Sequence, residues 1–175
     1  TETAGTAFSL TITALDEYDN VVDSGPNGYD GLHDINFFST AMDSPGGGSG
    51  SSTPTIPAQI AGLNFANGVV TTAAAFTLVN AAGTPTITAE DNADLSITGT
   101  TAAIVVNVGG LDFIRVNDGA NGNTSAVSDY TMTTDDVLQV HASRYDAHGN
   151  YIGDSPVGTT WAAALPFDAG DLSAA

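Results

Sequence analysis

The 175 residues contain no cysteine and no lysine. Without cysteine there are no disulfides, thiolate nucleophiles or cysteine-based zinc sites. The only basic residues are Arg115 and Arg144, set against 20 acids, for a formal net charge of −18. Binding to a phosphate backbone draws on clustered cations, so nucleic acid is not expected as a partner. No apolar run approaches the roughly 20 residues needed to cross a bilayer, and membrane insertion is not expected either. No signal peptide is visible at Thr1, so the chain reads as a mature product or an excised segment. Helix signals are weak throughout.

What is present is acidic and strand-prone. All the acids except Glu2, Glu17 and Glu90 are aspartate. A solvated acidic surface suits seawater or brine, and it leaves carboxylates for hard cations such as Ca²⁺. The hydrophobic fraction of 42% is enough for a packed core. Threonine, valine, glycine, asparagine and aspartate supply the chemistry of strands and turns. Phe8, Leu10, Ile12 and Ala14 fall on every second position, the pattern of a half-buried strand over residues 8–14. Residues 33–39 predict a second strand, with Ile35 and Phe37 on one face. The glycine- and serine-rich stretch 46–52 predicts a flexible loop between strands. Leu63-Asn64-Phe65 leads into Asn67-Gly68 and then Val69-Val70. Asn-Gly between strands signals a hairpin, because both residues tolerate positive φ. Residues 84–89, 101–108 and 111–116 predict further strands, and residues 137–142 alternate again. Short strands with regular turn signals predict an all-β sandwich, with a module boundary at Gly109-Gly110.

The chain also repeats itself. Asp16-Glu17-Tyr18-Asp19-Asn20-Val21-Val22 parallels Asp146-Ala147-His148-Gly149-Asn150-Tyr151-Ile152, 130 residues later. Each turn follows an alternating strand in the same phase: Leu10, Ile12 and Ala14 in one case, Leu138, Val140 and Ala142 in the other. An aromatic strand is expected after each, with Phe37 in the first and Trp161 in the second. Two more motifs stand between the turns, Gly83-Thr84-Pro85-Thr86-Ile87-Thr88-Ala89-Glu90-Asp91 and Ser96-Ile97-Thr98-Gly99-Thr100. On these residues the chain resembles the bacterial and archaeal immunoglobulin-like repeats of large cell-surface proteins, the invasin-like adhesins among them. The resemblance implies immunoglobulin-like β-sandwich modules in tandem. Residues 1–109 would form one module, and residues 110–175 a second that is partial or completed by another chain. Asp19 departs from the repeat, standing where the second turn has Gly149.

The two turns read first as structural. Asp16 and Asp146 would accept N–H bonds within the turn, and Asn20 and Asn150 would bond back to the chain. The functional alternative is a Ca²⁺ site, with Asp16 and Asp19, or Asp146 and Asp154, as oxygen ligands. Asp91, Asp94, Asp112, Asp135, Asp136, Asp168 and Asp171 are the other carboxylates near expected module ends, where a cation would stiffen an array. In the second module Leu138, Val140, Ala142 and Trp161 are expected to line an assembly groove. A strand of another subunit would fill it, with residues 1–7 of a neighbour as donor. Asn123-Thr124-Ser125 is a glycosylation sequon.

His33, His141 and His148 are scattered. No G-x-S-x-G elbow occurs, and the glycine-rich stretch lacks a phosphate-binding lysine, so no enzyme is expected. The sequence therefore points to a structural or adhesive segment of an extracellular or cell-surface protein. Its expected partners are copies of itself or neighbouring immunoglobulin-like modules, with a cell-surface receptor or polysaccharide as further candidates. The alternative is a carbohydrate-binding module of a secreted enzyme. That reading requires Tyr18, Tyr29, Tyr130, Tyr145 and Tyr151 to contribute to one exposed row.

Overall fold

The computed structural model describes residues 1–23, 25, 28–46, 51–122, 126–127, 131 and 137–155. The regular structure of these residues is all β. The longest strand, β4 (Gly31–Ser39), pairs on one side with β5 (Gln59–Phe65) and on the other with β8 (Ile87–Asp91). β9 (Thr98–Thr100) adds to β8 and ends this four-stranded antiparallel sheet. Two short ladders face it: β2 (Ala7–Phe8) with β7 (Phe76–Thr77), and β3 (Thr11–Thr13) with β6 (Val69–Thr71). β1 (Glu2–Thr3) runs parallel to β10 (Val106–Asn107).

Alternation along β4 explains the layering. Ile35 and Phe37 point inward and are buried, whereas Leu32 and Phe38 point out. Phe65, Phe76 and Ile87 join Ile35 and Phe37 in the core, and Phe8, Leu10, Ile12 and Val70 pack on it from the facing layer. Phe76 is fully buried, and its ring meets Phe37 edge-on at 5.0 Å between centroids. Each such side chain contributes about 1.5–3 kcal/mol through burial. At the other end, Ala4, Leu78 and Val106 form a second buried cluster beside the β1–β10 pair.

The tight turn at Asn67-Gly68 forms, with φ of 52° and 71° and a single Ala66–Val69 bridge, but the expected hairpin does not follow: β5 pairs with β4 and β6 with β3, so the turn carries the chain from one layer to the other. Residues 8–14, read as one strand, are divided into β2 and β3. At the break Leu10 gives its N–H to the Thr72 side chain at 2.9 Å instead of to a backbone carbonyl. The expected strand 84–89 begins later, at Ile87; Pro85, without an N–H, cannot donate to a ladder. Of the expected strand 101–108 only β10, Val106–Asn107, is regular strand; β9 ends just before it, at Thr100.

After β10 the pairing partners change. β11 (Phe113–Asn117), β12 (His141–Tyr145) and β13 (Tyr151–Asp154) form an antiparallel sheet of their own. Among the described residues no strand of this sheet pairs with β1–β10. The expected strand over 137–142 is displaced to β12. Its partner β11 ends at Asn117, opposite His141, so residues 137–140 have no ladder to join. Phe113 stacks on Tyr145 at 5.1 Å, and Arg115 lies 5.2 Å from the centre of the Tyr145 ring, a cation–π contact.

Candidate functional site

The repeated turn has the same hydrogen-bond pattern in both copies. Asp16 Oδ1 accepts the N–H groups of Tyr18 (2.8 Å) and Asn20 (2.9 Å), and the Asn20 amide donates to Asp16 Oδ2 at 3.0 Å. Asp146 Oδ1 accepts from His148 and Asn150 N–H, both at 2.9 Å, and the Asn150 amide donates to Asp146 Oδ2 at 2.9 Å. The backbone bonds match as well: Asp16 N–H to Asn20 O and Asp19 N–H to Asp16 O, against Asp146 N–H to Asn150 O and Gly149 N–H to Asp146 O. The fourth residue is left-handed in each, Asp19 at φ 64° and Gly149 at φ 79°. The Asp/Gly difference therefore leaves the turn geometry intact, because aspartate tolerates this region with little strain. A bridge closes each turn, Leu15 to Val21 and Tyr145 to Tyr151.

The surroundings of the two turns differ. The first turn is exposed, whereas Asp146 is 1% and Asn150 3% accessible. The second turn is seated against the β1–β10 unit. Its Asp146 Oδ2 accepts the Gly109 N–H at 2.8 Å. Asn150 is held on both ends of its amide, donating to Val79 O at 2.8 Å and accepting from Ala81 N–H at 2.9 Å. His148 Nδ1 lies 3.1 Å from Ser52 Oγ, and a Cβ on Gly5 would come within 2.0 Å of its Nε2. Gly5, at φ 77°, supplies both the sharp turn after β1 and the space for that ring. Ser52 is itself fixed, giving its N–H to Ser44 Oγ at 2.8 Å. Burial pushes the Asp146 carboxyl up, but its bonds from Asn150, Gly109 and His148 outweigh that and hold it below the usual value. This is a polar junction in which the named side-chain oxygens of the plug are satisfied.

The sequence-predicted residues are distributed as follows. Asp16 and Asp146 carry out the structural role expected of them. Asp154 sits at the far end of the hairpin from Asp146 and accepts from Asn121 N–H at 2.9 Å and Ser143 Oγ at 2.7 Å. Among the described residues no three histidines or carboxylates converge as metal ligands. Leu138 and Val140 are half-buried and Ala142 is buried. Trp161, Asn123, Tyr130, Asp135, Asp136, Asp168 and Asp171 lie outside the described residues. The 1–7 segment, expected as a donor to a neighbour, is engaged at home: β1 pairs with β10, Ala4 is buried, and Ala7 pairs with Thr77. The tyrosines do not share one surface environment: Tyr18 is 76% exposed and Tyr145 4%.

A second polar cluster escaped the sequence reading. Asp91, grouped there with Asp94 among the carboxylates near an expected module end, is buried. It accepts from the Tyr29 hydroxyl, from His33 Nδ1 at 2.9 Å and from Ala93 N–H at 2.7 Å. Burial pushes its carboxyl up, and these bonds more than reverse the shift, so it stays below the usual range. Tyr29 is pushed up, first by burial and then by its bond to Asp91. The Tyr29 and His33 rings stack at 3.9 Å, and His33 Nε2 is 3.3 Å from Asp30 O. Both ring nitrogens are thus occupied, and the cluster fixes the start of β4 to the end of β8. No spacing signal links residues 29, 33 and 91; the strand pairing alone brings them together.

Among known proteins no family model matches this chain, and no curated protein or solved structure does.

Proposed function

We propose that this chain is a non-enzymatic, structural segment of an extracellular surface or filament-forming protein, built from immunoglobulin-like modules in tandem. The observation that carries the reading is the seated 146–150 turn. It sets the second sheet unit at a defined angle on the first through buried, fully bonded polar groups, which suits a spacer or array more than a flexible tether.

The strand connectivity supports the immunoglobulin-like assignment. β1 runs parallel to β10, the strands between them change layer in pairs (β2 and β3, β4 and β5, β6 and β7, β8 and β9), and the order β5-β4-β8-β9 faces the β2–β7 and β3–β6 ladders. Repeated crossings of this kind between two facing antiparallel layers are the connectivity of a β-sandwich. The acidic composition adds solubility to such a segment and no chemistry of its own.

Electron microscopy of negatively stained particles tests the proposal. Two-unit particles with one narrow distribution of inter-unit angle, or fibres built from them, are expected. Broadening of that distribution in Asn150→Ala is the matching expectation for the junction. A wild-type chain whose units take all angles would overturn the reading.

A further inference from the structure

The side of the sandwich between β3 and β9 is open. A cleft of about 500 Å³ runs there, walled by Leu10, Ile12 and Leu15 on one side and Ile97 and Gly99 on the other, over the core residues Ile35 and Ile87. Both walls are sheet edges. Among the described residues β3 pairs with β6 alone, and β9 is the last strand of its sheet. Leu10 O and Ala14 N bond toward β6, accepting from Thr72 N–H and donating to Gly68 O. Alternate residues of an antiparallel ladder face the same neighbour, so Thr11 and Thr13 turn their N–H and C=O groups away from β6, toward the cleft. On the other wall Ile97 O and Thr101 N bond toward β8, which turns the backbone of Thr98 and Thr100 outward. Two rows of backbone groups with no strand partner among the described residues, over an apolar floor, make a strand acceptor.

The repeat identifies the occupant. Residues 11–15 correspond to β12, His141–Tyr145. The Tyr145–Tyr151 bridge corresponds to Leu15–Val21, so β13 takes the edge of β12 that matches the β6 edge of β3. On its other edge β12 carries β11 in full antiparallel register, from Phe113 opposite Tyr145 to Asn117 opposite His141. That edge of β3 faces the cleft. Direction agrees independently. β1 runs parallel to β10, and a turn closed by Thr6 N–H to Thr3 O reverses the chain into β2. One strand running with β1 is therefore antiparallel to β3 and parallel to β9, and satisfies both walls.

We propose that the β3–β9 cleft receives an extended segment of the β11 type, delivered by another module of the same kind. The proposal rests on the reading of the chain as an array of like modules. Carried over residue by residue, the segment sets its Phe113 equivalent opposite Leu15 and its Asn117 equivalent opposite Thr11. The exposed 16–20 turn then gains what the seated turn already has. Gly109, just ahead of β11, donates its N–H to Asp146 Oδ2, and its equivalent in the incoming segment would donate to Asp16 Oδ2.

The test is a synthetic peptide with the sequence of residues 109–118, added to the whole chain and followed by amide hydrogen exchange. The N–H groups of Thr11, Thr13, Thr98 and Thr100 are expected to exchange at least about tenfold more slowly at saturation. Asp16→Ala is expected to weaken peptide binding about tenfold, the loss of one charge-assisted bond. Gly99→Trp is expected to abolish binding while leaving the fold in place, because a Cβ at Gly99 meets nothing within 4 Å. Thr13→Pro, which removes an N–H facing the cleft, gives a second block by another route. A peptide that does not bind, that binds without protecting these amides, or that binds Gly99→Trp as well as wild type overturns the acceptor cleft. The array reading would survive that result if the inter-unit angle stays fixed in micrographs, so the two failures are distinguishable.

Discussion

Replacing Asp146 with alanine removes the acceptor of four hydrogen bonds, from His148 N–H, Asn150 N–H, Gly109 N–H and the Asn150 amide. The Asn150 amide keeps Val79 O as a partner, but the three backbone donors lose this acceptor. Each donor left unsatisfied in a buried site costs about 1–3 kcal/mol, and these three share one site and do not add in full, so the total is roughly 3–5 kcal/mol. For a chain of this size that corresponds to a Tm lower by roughly 10 °C. Asp16→Ala removes the same local bonds from the exposed twin, where water replaces the lost acceptor, and its effect is expected to be much smaller. Scanning calorimetry of the two variants, with limited proteolysis across residues 108–112, measures the difference. It isolates the seating of the turn, because the local geometry is shared. Equal losses from the two substitutions would refute the reasoning and show that the bond from Gly109 and the burial of Asp146 contribute nothing beyond the turn itself.

Three further outcomes follow from the same geometry. Asp146 titrates below its usual value of 3.8 in the folded chain, so its stabilisation is fully present above that pH and is lost as pH falls through the folded value; the pH-dependence of unfolding below pH 3.8 is expected to be shallower in Asp146→Asn, and an unchanged slope would contradict the assignment. Gly5→Ala places a Cβ 2.0 Å from His148 Nε2 and forces a left-handed alanine; its loss of Tm is expected to be partly recovered by adding His148→Ala, and no recovery would mean that the ring does not sit there. Because Asp16, Asp146 and Asp154 spend their oxygens on N–H and O–H donors, about 5 mM Ca²⁺ is expected to raise Tm by no more than about 2 °C over a chelator, whereas a larger rise would place a cation on these aspartates or on Asp19.

The sequence announces local features and conceals those that depend on a distant backbone. The tight turn at Asn67-Gly68, the inward pair Ile35 and Phe37 and the twin turns were legible because each is carried by residue type at short range, whereas the separation of β5 and β6 into different sheets was not. The division of residues 8–14 into two strands was not, since the Thr72 hydroxyl that takes Leu10 N–H lies 62 residues away. The start of β12 at His141 was hidden in the same way, because where a ladder begins depends on where β11 ends. Asp91 misled the reading in the opposite direction. In so acidic a chain an aspartate reads as surface, and only the pairing of β4 with β8 sets it beneath Tyr29 and His33.

The junction shows why a repeat can encode a structure without encoding its partner. Both copies of the turn satisfy their own first donors, so the motif folds alike whether exposed or covered. What covers the second copy is a set of backbone groups, at Val79, Ala81 and Gly109, which any residue except proline could supply on the donor side. Side-chain identity enters at Ser52, whose Oγ lies 3.1 Å from His148 Nδ1, and where space is needed, at Gly5 and at Gly109, where a Cβ would stand 3.3 Å from Asp146 Oδ2. A polar plug of this kind remains soluble when unseated and specific when seated. An apolar plug would leave an adhesive patch on every exposed copy. The same reasoning makes the exposed 16–20 turn informative: it keeps the bonding pattern of its seated twin, and it follows directly on Leu15, a wall of the cleft whose two strands each have one edge without a strand partner among the described residues.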